Sequence, residues 1–132
     1  MKKDIDIPKA VGLQLAFVHE YNSDFRVYDW NVYLINTHTE LIEMVLIVTN
    51  GVHKKKKTST MRHKIERLFP NTVAKIEYIP DEVLKLNNTY SISFFQNNQL
   101  FEKIFTVKKN SIQESQAQKL KLFNGSKGFI FE

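Results

Sequence analysis

Apolar and polar positions alternate along most of this chain, and helical periodicity is rare. Val11, Leu13, Leu15 and Phe17 are interleaved with Gly12, Gln14 and Ala16, the pattern of a strand with one buried face. His19 to Asp24 is polar and reads as a loop. Trp30, Val32 and Leu34 mark one face of a second strand, with Asn31, Tyr33 and Ile35 on the other. The small polar residues Asn36-Thr37-His38-Thr39 then read as a turn. Leu41 to Thr49 fits two elements. One is a helix capped by Thr39, with Leu41, Val45 and Val48 on one side. The other is a strand ended by Asn50-Gly51, which the β-branched run Val45, Ile47, Val48 and Thr49 favours. Thr72 to Ile79, bounded by Pro70 and Pro80, reads as a strand. Asp81 to Leu86 fits a single helical turn with acids at its start.

The sharpest local signal is a hairpin. Tyr90 to Gln96 and Gln99 to Val107 flank Asn97-Asn98, and asparagine tolerates the positive φ that a two-residue turn demands. That turn puts Tyr90, Ile92 and Phe94 on one face with Phe101, Lys103, Phe105 and Val107. Ser91, Ser93, Glu102 and Thr106 fall on the other face, mixed with Phe95, Leu100 and Ile104. A slip of one residue would destroy the separation.

Six to eight strands joined by short polar turns, without βαβ alternation and with at most one or two short helices, predict an all-β fold. The expected architecture is an antiparallel two-sheet sandwich of immunoglobulin-like character. Its core is expected to hold Leu13, Leu15, Phe17, Trp30, Val32, Leu34, Ile92, Phe94 and Phe105. Residues 1–9 read as a flexible N-terminal arm and 10–132 as one β domain, less regular from about residue 110. There Ser111 to Lys121 is polar and Gln-rich, in keeping with a short helix, and Phe129-Ile130-Phe131 fits a final edge strand.

Composition narrows the chemistry. The 132 residues include ten Phe, five Tyr and one Trp, enough aromatic mass for a core, but no Cys and only four Gly. Disulfides, thiolate metal sites and a cysteine nucleophile are thereby excluded, and little is left for a phosphate-cradling glycine loop. His19, His38, His53 and His63 lack the spacing of a zinc-binding helix, and no Ser sits in a nucleophile elbow. Asp81 and Glu82 are adjacent, as at a helix start, and would diverge on an extended chain. No catalytic residue, cofactor or metal is expected. Asp4, Asp6 and Pro8 interrupt the start that a signal peptide would need. The apolar runs Val11–Val18 and Met44–Val48 fall short of the roughly 20 residues that span a bilayer. A cytoplasmic protein with no membrane partner is the expectation.

The formal charge of +5 is concentrated. Between His53 and Arg67 lie Lys54, Lys55, Lys56, Lys57, Arg62, Lys64 and Arg67, against the single acid Glu66, which makes +6; the other residues carry twelve bases and thirteen acids, or −1. Lys54, Lys55, Lys56, Lys57, Arg62, His63, Lys64 and Arg67 are therefore the candidate binding set for RNA or another polyanion. In a helix over Met61 to Phe69, His63 and Arg67 would stack one turn apart; on a strand, neighbouring lysines would face opposite ways. Lysines also guard sheet edges against unwanted pairing. Tyr28, Tyr78 and Phe95 fall on the wet faces, where they suit either base stacking or a protein contact. The favoured function is a non-catalytic interaction module binding protein, a second copy of itself included, with polyanion binding through residues 53–67 as the alternative.

Four stretches carry a family resemblance: Asp29-Trp30-Asn31-Val32-Tyr33-Leu34-Ile35-Asn36, Glu43-Met44-Val45-Leu46-Ile47-Val48, Lys57-Thr58-Ser59-Thr60-Met61-Arg62-His63 and Leu86-Asn87-Asn88. Together they resemble a group of small uncharacterised all-β bacterial proteins, some of which carry the name phenylalanyl-tRNA synthetase α subunit. The layout of Leu15-Ala16-Phe17-Val18 followed by Val32-Tyr33-Leu34-Ile35-Asn36 is also similar to the β module that precedes Smr nuclease domains. The resemblance covers Lys9 to Val107 and implies a stand-alone all-β domain. Its motifs are strand and turn patterns, so it transfers no site residue.

Overall fold

Two antiparallel sheets pack face to face in the computed structural model, which describes residues 7, 8 and 10–132. The elements in chain order are β1 (Leu13–Asn22), β2 (Val27–Asn36), β3 (Ile42–His53), β4 (Lys56–Lys57), β5 (Met61–Leu68), β6 (Thr72–Ile79), α1 (Asp81–Leu84), β7 (Asn87–Gln96), β8 (Gln99–Val107), β9 (Gln118–Lys119) and β10 (Lys127–Phe131). The back sheet runs β6-β2-β1-β10-β9. The front sheet runs β4-β3-β7-β8, and β5 pairs with β3 along the same edge as β4. The all-β sandwich is as expected, with ten strands, two of them only two residues long. The arm expected over residues 1–9 falls mostly outside the described residues. At its end, Pro8 and Ala10 bond to the backbone of Glu102 on the outer edge of β8.

Period-two alternation accounts for the core. All nine residues expected there are buried. Phe17 of the back sheet meets Tyr90 of the front sheet edge-on, with ring centroids 5.9 Å apart, and also packs on Phe131 at 5.7 Å. Burying one such side chain is worth about 1.5–3 kcal/mol. The β7–β8 register matches the sequence reading, with Gln96 opposite Gln99 and Phe94 opposite Phe101; Asn97 and Asn98 both take positive φ.

Several local readings need correction. His19 to Asp24 is not a loop: β1 runs to Asn22, and only residues 23–26 turn. Val11 lies before β1 and is exposed. The stretch from Leu41 is the strand β3, and residues 61–68 form the strand β5, so His63 and Arg67 do not share a helix face. The polar tail holds two short 3-10 turns, Glu114–Gln116 and Lys121–Phe123, around β9. The last strand is inserted between β1 and β9 and lies at an edge only past Gly128.

The tail also covers the outer face of the back sheet. Phe123 is buried there with Ala16, Val18 and Ile35, its ring 4.8 Å from that of Tyr33, and Leu120 and Val73 pack beside them. Asn124 and Gly125, both at positive φ, turn the chain back into β10. Gly128 lets the layers approach: a Cβ there would collide with the Phe17 carbonyl and lie 2.9 Å from Leu120 Cδ1.

Candidate functional site

The edge formed by β4 and β5 carries the basic segment. Asn50-Gly51 does not end β3, which continues to His53 before the tight turn at Lys54, whose φ is positive, and Lys55. The chain returns through Lys56 and Lys57, loops over Thr58–Thr60, and resumes along the same edge as β5. All four lysines are exposed and, with Arg62 and Lys64, have no ion-pair partner among the described residues.

The eight candidate residues do not form one patch. Lys54–Lys57 sit at one end of the front sheet. Arg62 and Lys64 lie further along, opposite Val48 and Leu46 of β3. Arg67 stands at the far end, 3.9 Å from a Glu43 carboxylate oxygen. His63 points inward instead, its Nε2 2.9 Å from Glu77 Oε1 on β6. Tyr90 donates its hydroxyl hydrogen to the other oxygen of Glu77 at 2.8 Å, so one carboxylate ties β5, β6 and β7 together across the two sheets. Burial, followed by the Glu77 charge and hydrogen bond, raises the Tyr90 phenol far above its ordinary range. His63 is thus a link between the two sheets.

Sequence reasoning missed Lys109. Its Nζ lies 3.5 Å from His53 Nδ1, and its backbone N–H donates to Asn87 Oδ1. Partial desolvation, then the charges of Lys109, Lys54 and Lys56, hold the His53 imidazole below its ordinary value. The only local hint was the pair Lys108-Lys109 after a strand. Its meaning depends on β7 and β3 pairing, which no local pattern announces.

Among the described residues, no segment covers the outer face of the front sheet. Leu46, Val48, Phe95 and Leu100 are half-buried there, and Ile104 is 60% exposed. Register aligns two rows across the four strands: Arg62–Val48–Ser91–Ile104, and beside it Lys64–Leu46–Ser93–Glu102. The second row has a cation at one edge, an acid at the other, and Leu46 and Ser93 between. A bulge at Met44, which has positive φ and is exposed, ends the regular part of the face and bounds a groove of about 670 Å3 beside Phe95.

Among the described residues no group of three or more His, Cys, Asp or Glu side chains is placed to hold a metal ion. Among the same residues no helix is long and apolar enough to cross a membrane. No family model, curated protein or solved structure matches the chain.

Proposed function

We propose that the chain is a non-catalytic interaction domain that binds protein through the outer face of the front sheet, and that the partner this face fits is a second copy of the chain. The row Lys64–Leu46–Ser93–Glu102 carries this reading. A two-fold axis parallel to the strands keeps each row at its own level and exchanges its edges. Lys64 then meets Glu102 of the partner, and the pair recurs by symmetry. An axis lying across the strands would lay the cationic β5 edge on itself. The charges select the orientation, while Leu46, Val48, Leu100 and Ile104 supply the apolar contact.

Sedimentation velocity over a concentration series tests this. A reversible dimer is expected. Lys64→Glu and Glu102→Lys should each weaken it, and the two together should restore it. A strict monomer at high concentration, or double-variant behaviour no better than either single variant, would overturn the self-pairing.

A second reading has its own support in the unpaired cations Lys54–Lys57, Arg62 and Lys64 and the adjacent Lys109. Such a set binds RNA or another polyanion with release of counterions. Four to five phosphate contacts would give a slope of log affinity on log salt of roughly −3 to −4.5. Titration with single-stranded RNA at two salt concentrations measures it. Replacing Lys54, Lys56, Arg62 and Lys64 with Gln should abolish the slope at nearly constant melting temperature.

A further inference from the structure

The covered face of the back sheet has an open end. Beyond Phe123 and Tyr33, where the β1–β2 hairpin extends past the tail, lies a cleft of about 690 Å3, within the span of roughly 300–1,000 Å3 typical of small-ligand sites. Glu20 of β1 and Asp29 of β2 stand directly opposite each other on its floor. Like charges in that position repel across an antiparallel pair. No ion pair offsets this among the described residues: Lys75 lines the same cleft but pairs with neither carboxylate.

Neutral donors hold the two acids instead. Tyr33 donates its hydroxyl hydrogen to Glu20 Oε1 at 2.7 Å, and Asn31 Nδ2 donates to the same oxygen at 2.9 Å. Asn22 Nδ2 donates to Asp29 Oδ2, also at 2.9 Å. Glu20 Oε2 and Asp29 Oδ1 accept nothing from the described residues. The same is true of Oδ1 of Asn31, a side chain only 9% exposed. Among the described residues every buried side-chain N or O atom has a partner, so that carbonyl oxygen is not sealed off, and Asn31 lines the cleft. The cleft therefore presents three unused acceptors, two of them charged, beside the exposed rings of Phe25 and Tyr78.

We propose that this cleft binds a cationic, hydrogen-bond-donating group of the guanidinium or primary-ammonium type. Only donors answer the three free oxygens. A positive charge relieves the Glu20–Asp29 repulsion, and aromatic faces favour a cation further. Burial and Glu20 both raise the Tyr33 phenol above its ordinary range, which keeps its hydrogen on the bond that fixes the Glu20 carboxylate. The preference runs against the net charge of the chain, so the cleft is a local inversion of its field.

The test is an NMR titration of the whole chain, reading the side-chain amide signals of Asn22 and Asn31. Methylguanidinium should shift both saturably at millimolar concentration, whereas urea, its neutral counterpart in shape, should not. Glu20→Gln and Asp29→Asn should each weaken binding about tenfold, the loss of one charge-assisted hydrogen bond. Asp29→Asn leaves the Tyr33 bond intact, which guards against misfolding as the cause, and Lys57→Gln should change nothing. Agmatine and a Gly-Arg-Gly peptide then separate a free small molecule from a basic side chain as the source of the group. Absence of a saturable shift, or an equal response to urea, would overturn the proposal.

Discussion

The two outer faces of this sandwich meet opposite fates. On the back sheet Ala16, Val18 and Ile35 lie under Phe123 and Leu120, which the chain itself folds over them. On the front sheet Leu46, Val48 and Ile104 face outward with no segment above them among the described residues. The difference is not one of strand pattern, since both sheets alternate. It comes from a short tail that turns at Asn124 and Gly125 and is admitted by the missing side chain of Gly128. An apolar sheet face is acceptable in water when something covers it. Where the chain supplies the cover, the face adds to stability; where the described residues supply none, apolar side chains stay in water, which is the basis of the binding face proposed above.

Truncating the cover is the strongest way to break this contrast. Phe123→Ala should cost about 3 kcal/mol in urea unfolding, the low end for a buried phenylalanine, whereas Phe95→Ala on the front face should cost under about 1 kcal/mol. Equal losses would mean that the two faces are energetically alike. The layer between the sheets gives the reference. Tyr90→Phe should cost roughly 1.5–3 kcal/mol by leaving one oxygen of Glu77 without its donor. Because the folded Tyr90 phenol titrates above its ordinary value of 10.0, its stabilisation is complete below that pH and is lost as pH rises towards the folded value. Alkaline unfolding curves should therefore be shallower for Tyr90→Phe. Ile104→Lys sharpens the contrast from the other side: stability should change by no more than about 0.5 kcal/mol, while the proposed self-association should be lost in sedimentation velocity. The smallest effect belongs to His53. Its folded value lies below 6.5, so its contribution favours unfolding as pH falls below 6.5. Lys109→Gln should move the imidazole titration, followed by NMR, back towards 6.5.

Local alternation made the hairpin at Asn97-Asn98 and the core residues readable, because both follow from side-chain period alone. It failed at His19 to Asn22 for a physical reason. Glu20 and Asn22 line a polar cleft, while His19 stacks on Tyr28 and Tyr21 meets the same ring edge-on. A strand wet on one side and aromatic on the other has the composition of a loop. The basic segment was legible as a charge run and not as a surface. Whether His63 faces solvent or Glu77 depends on how β5 sits over β6, and Lys109 joins His53 only through two strand pairings. The Glu20–Asp29 opposition was hidden likewise, since it needed the register of β1 on β2 and a turn of only four residues.

The pairing of β1 with β10 has a consequence for the order of folding. The front sheet draws all of its described strands from residues 42–107, and its β7–β8 hairpin closes over a two-residue turn. The back sheet must join distant segments: Phe17 pairs with Phe129, and Ala16 and Val18 meet Phe123 across most of the chain. Contacts between residues so far apart in sequence are costly in loop-closure entropy and form slowly. Until β10 arrives, β1 is an apolar strand paired on one side only, by β2, and the front sheet is expected to be ordered before that side is enclosed.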